Sequence, residues 1–185
     1  MGLIYRNAFN DLDRSDSCFR AMLQITYIRP EEGNNRDIWD GIAEGNIGYN
    51  MLLRSAYDEA IPLLKSSMAK MLRFDDYAYA SGPAINLADI YLKKDNTSEA
   101  KQYIDLSREY YDRMPREGRL SRIYEVMSRY YAATGRPEQS MAYMDSIVMA
   151  LKKEEEQFNG LLLLRAEQRN HLREQQMIFV NHFGE

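Results

Sequence analysis

The sequence is short of the residues that usually do chemistry. Cys18 is the single cysteine in 185 residues, so no intrachain disulfide can form. One thiol is compatible with a reducing or an oxidising compartment. There are two histidines, His171 and His182, in a polar stretch with no cysteine or paired carboxylate at ligand spacing. No metal site is expected there. No apolar run approaches the ~20 residues that cross a bilayer, and no basic segment followed by an apolar one opens the chain. Neither a membrane span nor a signal peptide is therefore expected. The net charge, 24 − 28 = −4, lacks the basic excess of a nucleic-acid binder.

Other patterns resemble sites only superficially. Gly41, Gly45 and Gly48 lie in a helical pattern rather than after a strand, which suits close helix packing and not a phosphate loop. Asp11, Asp13 and Asp16 lack the glycine and final glutamate of a calcium loop and read as turn and cap residues. Cys18, beside Phe19 and Arg20, reads as a small core residue rather than a nucleophile. No cofactor and no enzymatic activity are expected.

What the chain has is a repeat. Leu87 to Ala100, LADIYLKKDNTSEA, recurs forty residues away on either side as IGYNMLLRSAYDEA (Ile47 to Ala60) and MSRYYAATGRPEQS (Met127 to Ser140). Small residues align at Gly48, Ala88 and Ser128, and again at Ala60, Ala100 and Ser140. Tyr91 and Tyr131 share a column with Met51, and turns are predicted at Ser55, Asp95 and Gly135. Two helices joined by three or four residues approach closely only where side chains are small, so these columns mark the crossing points. The fourteen tyrosines suit such packing, since each buries a ring and keeps a wet hydroxyl.

The apolar periodicity predicts an all-α chain forming one domain. A helix pair is expected over 3–33, with Ile4, Ala8 and Leu12 on one face, a break at Asp13 to Asp16, and a loop at Pro30 to Asn35. Repeat 1 covers 34–74, with Trp39, Ile42, Ala43, Ile47 and Met51 inward and Pro62 inside its second helix. Repeat 2 covers 75–114, where Gly82-Pro83 is expected to kink or restart the first helix. Repeat 3 covers 115–153, with an inner stripe of Leu120, Tyr124, Met127 and Tyr131. Pro137 opens its second helix after Gly135. Residues 154–183 read as a separate capping helix with apolar points at Phe158, Leu161, Leu162, Leu172, Met177 and Phe179.

This pattern resembles the tetratricopeptide repeat family through Ile47, Gly48, Tyr57, Ala60 and Leu64; Leu87, Ala88, Tyr91, Ala100 and Ile104; and Met127, Tyr131, Pro137 and Met144. The resemblance covers about 36–153. The period of forty exceeds the family's ~34 and also falls within the range of HEAT-type repeats. Ser128 and Ser140 replace the usual glycine or alanine, and the closing proline is missing after repeat 1. The resemblance implies a right-handed superhelical α-solenoid of antiparallel helix pairs. It also implies a non-enzymatic scaffold that takes a peptide or helix of a partner protein in a concave groove.

Mapped by column, the implied concave face carries Asn46, Tyr49 and Leu53, then Asn86, Asp89 and Lys93, then Arg122, Glu125 and Arg129. Asparagine both donates and accepts, which suits holding a peptide backbone. Some relatives grip a terminal carboxylate, but Gly45 and Tyr49 stand at two of the positions that grip needs, so that clamp is not expected. Arg116, Arg119, Arg122 and Arg129 form a basic face suited to an acidic segment, unless Glu117 and Glu125 answer it as a solvated stripe. A homodimer contact through the terminal helix or the helix near 3–12 is a further expectation. The alternative function is a sensory fragment of a larger bacterial signalling or transcription-regulating protein. Its start would be WDGIAEGNIGYN, and its polar helix over Gln168 to Phe179 would lead onward. The compartment would be cytoplasmic for the scaffold and could be periplasmic for the sensor.

Overall fold

The computed structural model describes residues 1–28, 35–116 and 118–183, and the side chains of these apart from 26–28, 35, 166 and 171–183. The loop expected at Pro30 to Asn35 falls mainly outside that set, as do Glu117 and the side chains of His171, Leu172, Met177, Phe179 and His182. The described residues are helical, in the order α1 (Gly2–Phe9), α2 (Leu12–Ile28), α3 (Asn35–Leu53), α4 (Tyr57–Leu72), α5 (Tyr77–Lys93), α6 (Thr97–Arg113), α7 (Arg119–Ala133) and α8 (Pro137–Phe183). None of these helices is long and apolar enough to cross a membrane among the described residues. The chain falls into two compact units, Met1–Ile147 and Val148–Glu185.

In the first unit consecutive helices pack on one another from α1 to α7, and α3, α5 and α7 also touch in turn. The crossing points are the small columns. Ala60, Ala88 and Ala100 are fully buried, and a Cβ added at Gly48 would meet Leu64 Cγ at 2.9 Å and the Ala60 carbonyl at 3.4 Å. In the third pair the Ser128 hydroxyl donates to the Ser140 carbonyl at 3.0 Å, so serine is accommodated there by bonding as well as by size. A second repeated contact pins the first two of these helix pairs. Ser67 Oγ donates to the Gly41 carbonyl at 2.7 Å, and Ser107 Oγ donates to the Ser81 carbonyl at 2.9 Å. Leu52, Leu64, Leu87 and Ile90 form one apolar cluster, and Ile85, Ala88, Ile104, Ile123 and Val126 form the next.

The turns fall where the repeat predicts. Ser55, Asp95 and Gly135 have φ of 61°, 57° and 71°, the left-handed region that ends a helix. In each, an amide just past the turn reaches back to the aligned column: Ala56 N–H to the Met51 carbonyl, Asn96 to Tyr91 and Arg136 to Tyr131, at 2.8–2.9 Å. The Asp76 and Asn96 carboxyl and amide oxygens accept from the Tyr79 and Glu99 amides, capping α5 and α6.

Several local expectations are corrected. The break between α1 and α2 lies at Asn10, not at Asp13 to Asp16. Asn10 takes φ 51°, which asparagine tolerates, and Asp11 Oδ1 accepts from the Arg14 amide to cap α2. Ile4 is 52% exposed and is no inward face. Trp39 is 50% exposed, because Ile38 and Ile42 turn toward the Met71 cluster instead. Pro83 neither restarts nor ends α5: the residue before it is Gly82, which has no Cβ to clash with the proline ring, so the loss is the single donor to the Tyr79 carbonyl. In α7 the deepest residues are Ile123 and Val126, with Leu120, Tyr124, Met127 and Tyr131 half-buried beside them. Finally α8 runs unbroken through Lys153, since the Lys152 to Glu156 stretch holds only good helix formers. In the second unit Phe158, Leu161, Leu162, Leu163 and Leu164 are exposed.

The left-handed turns give a paired test. Ser55→Gly removes a Cβ from a strained position and should stabilise the chain by about 0.5–1 kcal/mol. Gly135→Ala adds one and should destabilise it by about 1 kcal/mol. Urea unfolding followed by circular dichroism reads both, and equal signs would contradict the turn geometry.

Candidate functional site

A cavity of the first unit, about 440 Å³, is lined by residues of α1, α3, α5 and α7, by Arg116 and Gly118 just before α7, and by Phe19 of α2 and Ser67 and Met71 of α4. Of the concave-face residues expected from the sequence, Asn46, Tyr49, Asn86 and Arg122 line it. Asp89, Lys93, Glu125 and Arg129 stand outside the lining. Arg116 and Arg119, expected as part of a basic face, also line it, and to these the structure adds Arg6 and Tyr79. Four arginines face the cavity, and none of its described lining residues is an aspartate or glutamate.

Each arginine is held differently. Arg6 comes from α1 and reaches α3, where its two terminal nitrogens donate to Asn46 Oδ1 and Asn50 Oδ1, both at 3.0 Å. Asn46 in turn donates to the Ile42 carbonyl at 2.8 Å, and Asn50 donates to Ser15 Oγ at 2.9 Å and Asp16 Oδ1 at 2.6 Å. Both amides are thereby fixed with their oxygens toward the guanidinium. That guanidinium lies 4.7 Å from the Tyr49 ring centroid. Burial lowers the Arg6 pKa, partly offset by Tyr49 and Asp16. Arg116 stacks 3.9 Å over the Tyr79 ring.

Arg122 and Arg129 converge on one acid. Asp89, whose side chain is only 3% exposed, accepts from Arg122 at 2.6 Å and from Arg129 at 2.7 Å. Glu125 adds a 2.7 Å contact to Arg122. Burial lowers the Arg122 pKa, but the bond to Glu125 and the charge of Asp89 outweigh it and leave the pKa raised. The carboxylate is shared between α5 and α7, so it ties the two helices together as well as balancing charge. Tyr49, Asp89 and Arg129 occupy one column of the repeat, so the same position serves as an aromatic platform, a buried acid and a base.

Arg119 has no such support. Its Nε is buried with no hydrogen-bond partner, and no carboxylate pairs with it among the described residues. Burial drives its pKa down to about 10, helped by the like charges of Arg116 and Arg122 and opposed by Tyr49. Room for the guanidinium comes from Gly82: a Cβ there would lie 2.7–2.9 Å from its Nη and Cζ atoms. Tyr49 lines the cavity with Arg6, Arg119 and Arg122, and the Arg6 guanidinium lies over its ring.

Lys93 is exposed and lies 5.8 Å from the Tyr57 ring centroid, away from the cavity. Cys18 is half-buried in α2. Arg6 escapes sequence reasoning because it enters from a helix outside the repeat. A hint is present, since Arg6 stands forty residues before Asn46, in register with the asparagine column. No family model matches the chain, and no curated protein matches it.

The two kinds of buried charge predict opposite stability effects. Asp89→Ala leaves Arg122 and Arg129 without their shared partner and should cost about 3 kcal/mol. Arg119→Met keeps the side-chain length and removes a charge that is buried without an acid. It should stabilise the chain by about 1 kcal/mol, raising Tm by about 2–4 °C. Calorimetry of the two variants beside the parent checks the signs.

Proposed function

We propose that the chain is a non-enzymatic binding protein built as a tetratricopeptide-like α-solenoid, and that it takes an acidic segment of a partner protein. The segment seats against α3, α5 and α7, with Asn46, Tyr49, Asn86 and Arg122 at the contact. The observation that carries this reading is a cavity with four arginines and no described acid in its lining. Charge-assisted bonds to carboxylate or phosphate are the strong ones available to guanidinium groups, and their planar forks add direction. Tyr49, Tyr79 and Pro83 supply apolar surface beside them.

The overall charge of −4 fits this arrangement, because the basic character is local. Acidic ligands would be steered to one place on an otherwise repelling surface. Asp89 and Glu125 support the contact from behind by holding Arg122, with Arg129 on the other oxygen of Asp89, and Lys93 takes no part in it.

The uninterrupted α8 favours a second reading, a sensory or regulatory fragment of a larger bacterial protein in which that helix carries a signal. Hydrogen exchange over 150–165 would decide it: slower exchange on ligand addition supports the sensor, and no change leaves the scaffold.

The scaffold reading is tested by fluorescence anisotropy with labelled 12-residue peptides, one set rich in Asp and Glu and one neutral. Acidic peptides should bind preferentially, with affinity falling as salt rises from 50 to 300 mM. The double variant Arg6→Gln, Arg116→Gln should weaken binding about tenfold or more, at roughly 1.4 kcal/mol per decade. Equal binding of both peptide sets, insensitive to salt and to that variant, would overturn the proposal.

A further inference from the structure

The cation balance of the cavity goes further than a preference for acidic segments. Arg122 is matched by Asp89 and Glu125. Arg6 is held by the neutral oxygens of Asn46 and Asn50, and Arg116 by the face of Tyr79. Arg119 faces no acid among the described residues, and its Nε is buried and unpartnered. Arg6, Arg116 and Arg119 make no ion pair among the described residues, and only Arg6 has an acid in its surroundings, Asp16, whose charge partly offsets its burial.

The Nε of Arg119 is buried and unpartnered, as are those of Arg122 and Arg129, so what sets Arg119 apart is that no acid pairs with it among the described residues. The cations also arrive from different directions, Arg6 from α1, Arg116 from the segment just before α7, and Arg119 and Arg122 from the start of α7. Arg6, Arg119 and Arg122 line the same cavity as Tyr49, whose hydroxyl can donate as well. A planar monoanion would satisfy one fork and leave the other charges standing. A tetrahedral dianion presents oxygens to several forks at once and removes most of the excess. Gly82 keeps the approach open on the α5 side, since any larger residue would occupy the place of the Arg119 guanidinium.

From this we infer that the cavity is an anion site for a phosphate monoester, centred on Arg119 and completed by Arg6, Arg122 and Tyr49. This rests on the groove reading above and names the group that would anchor the bound segment there. Arg6 and Arg119 bind the anion directly, while Asn46 and Asn50 are positioning residues that aim Arg6.

The test is thermal unfolding of the full chain with inorganic phosphate. Sodium chloride at matched ionic strength serves as the salt control and acetate as the monoanion. Phosphate should raise Tm by several degrees beyond both controls. The rise should vanish in Arg119→Met, and it should shrink in Gly82→Ala, which retains the charge but moves the guanidinium. A phosphate effect no larger than that of chloride, or one that persists in Arg119→Met, overturns the site. Acetate matching phosphate overturns the dianion.

Phosphoserine peptides compared with their unmodified forms separate the sources. A phosphopeptide that binds about tenfold more tightly than free O-phosphoserine supports a protein segment as the carrier. If acidic peptides bind the groove while phosphate neither stabilises nor competes, the anchor fails and the groove reading stands. If phosphate stabilises the chain and no peptide binds, the anchor holds for a small phosphorylated molecule and the segment reading fails.

Discussion

Everything in the first unit depends on how closely two helices can approach beside a turn. At Gly48 the clearance is so small that one methyl group would strike Leu64, and Ala60 opposite it is fully buried. Ala88 and Ala100 repeat the arrangement, and Ser128 and Ser140 repeat it with a hydrogen bond. Close approach has two effects. It packs Leu64, Leu87 and Ile104 at the density that cores require, and it sets the spacing at which the next first helix lies alongside. The contacts of α3 with α5, and of α5 with α7, follow from that spacing. The cavity is what remains between them on the side where α1 enters.

Charge is distributed around that cavity in two ways. Where α5 and α7 must be tied, the chain supplies an acid, and Asp89 is matched by two arginines. Where the cavity opens, it supplies amides, phenols and a missing Cβ, and leaves the cations to themselves. The first arrangement is a structural ion cluster, whose loss would leave buried charge behind. The second lowers stability and gains nothing within the fold. Departures of this kind from internal consistency are the usual mark of a site.

The repeating part of this molecule was readable from sequence because its signals are local and recur. A left-handed turn at Ser55, Asp95 and Gly135, with small residues at a fixed distance on either side, needs no knowledge of the rest of the chain. What could not be read depends on distant neighbours. Trp39 scores as inward on periodicity, yet the Met71 cluster draws in Ile38. Pro83 looks like a helix start until Gly82 removes the clash that would enforce one. Residues 154–183 looked separate because a repeat length was imposed on a stretch that contains no helix stop. Four of the nine expected concave-face residues line the cavity, but the cation without a partner was seen only as part of a basic stripe. Its burial depends on Gly82, thirty-seven positions earlier in the chain.

The serine bridges carry a mechanical consequence. Ser67 and Ser107 each join one helix to the backbone of the helix before it, at equivalent places in successive pairs. An α-helix rises about 1.5 Å per residue, so sliding either helix along its partner by even one residue would pull the hydroxyl off its acceptor. Shear within a pair is therefore pinned. Movements that open or narrow the space between α3, α5 and α7 must tilt whole pairs as rigid levers. The spans between the pairs, such as Arg73 to Asp76, then serve as the pivots.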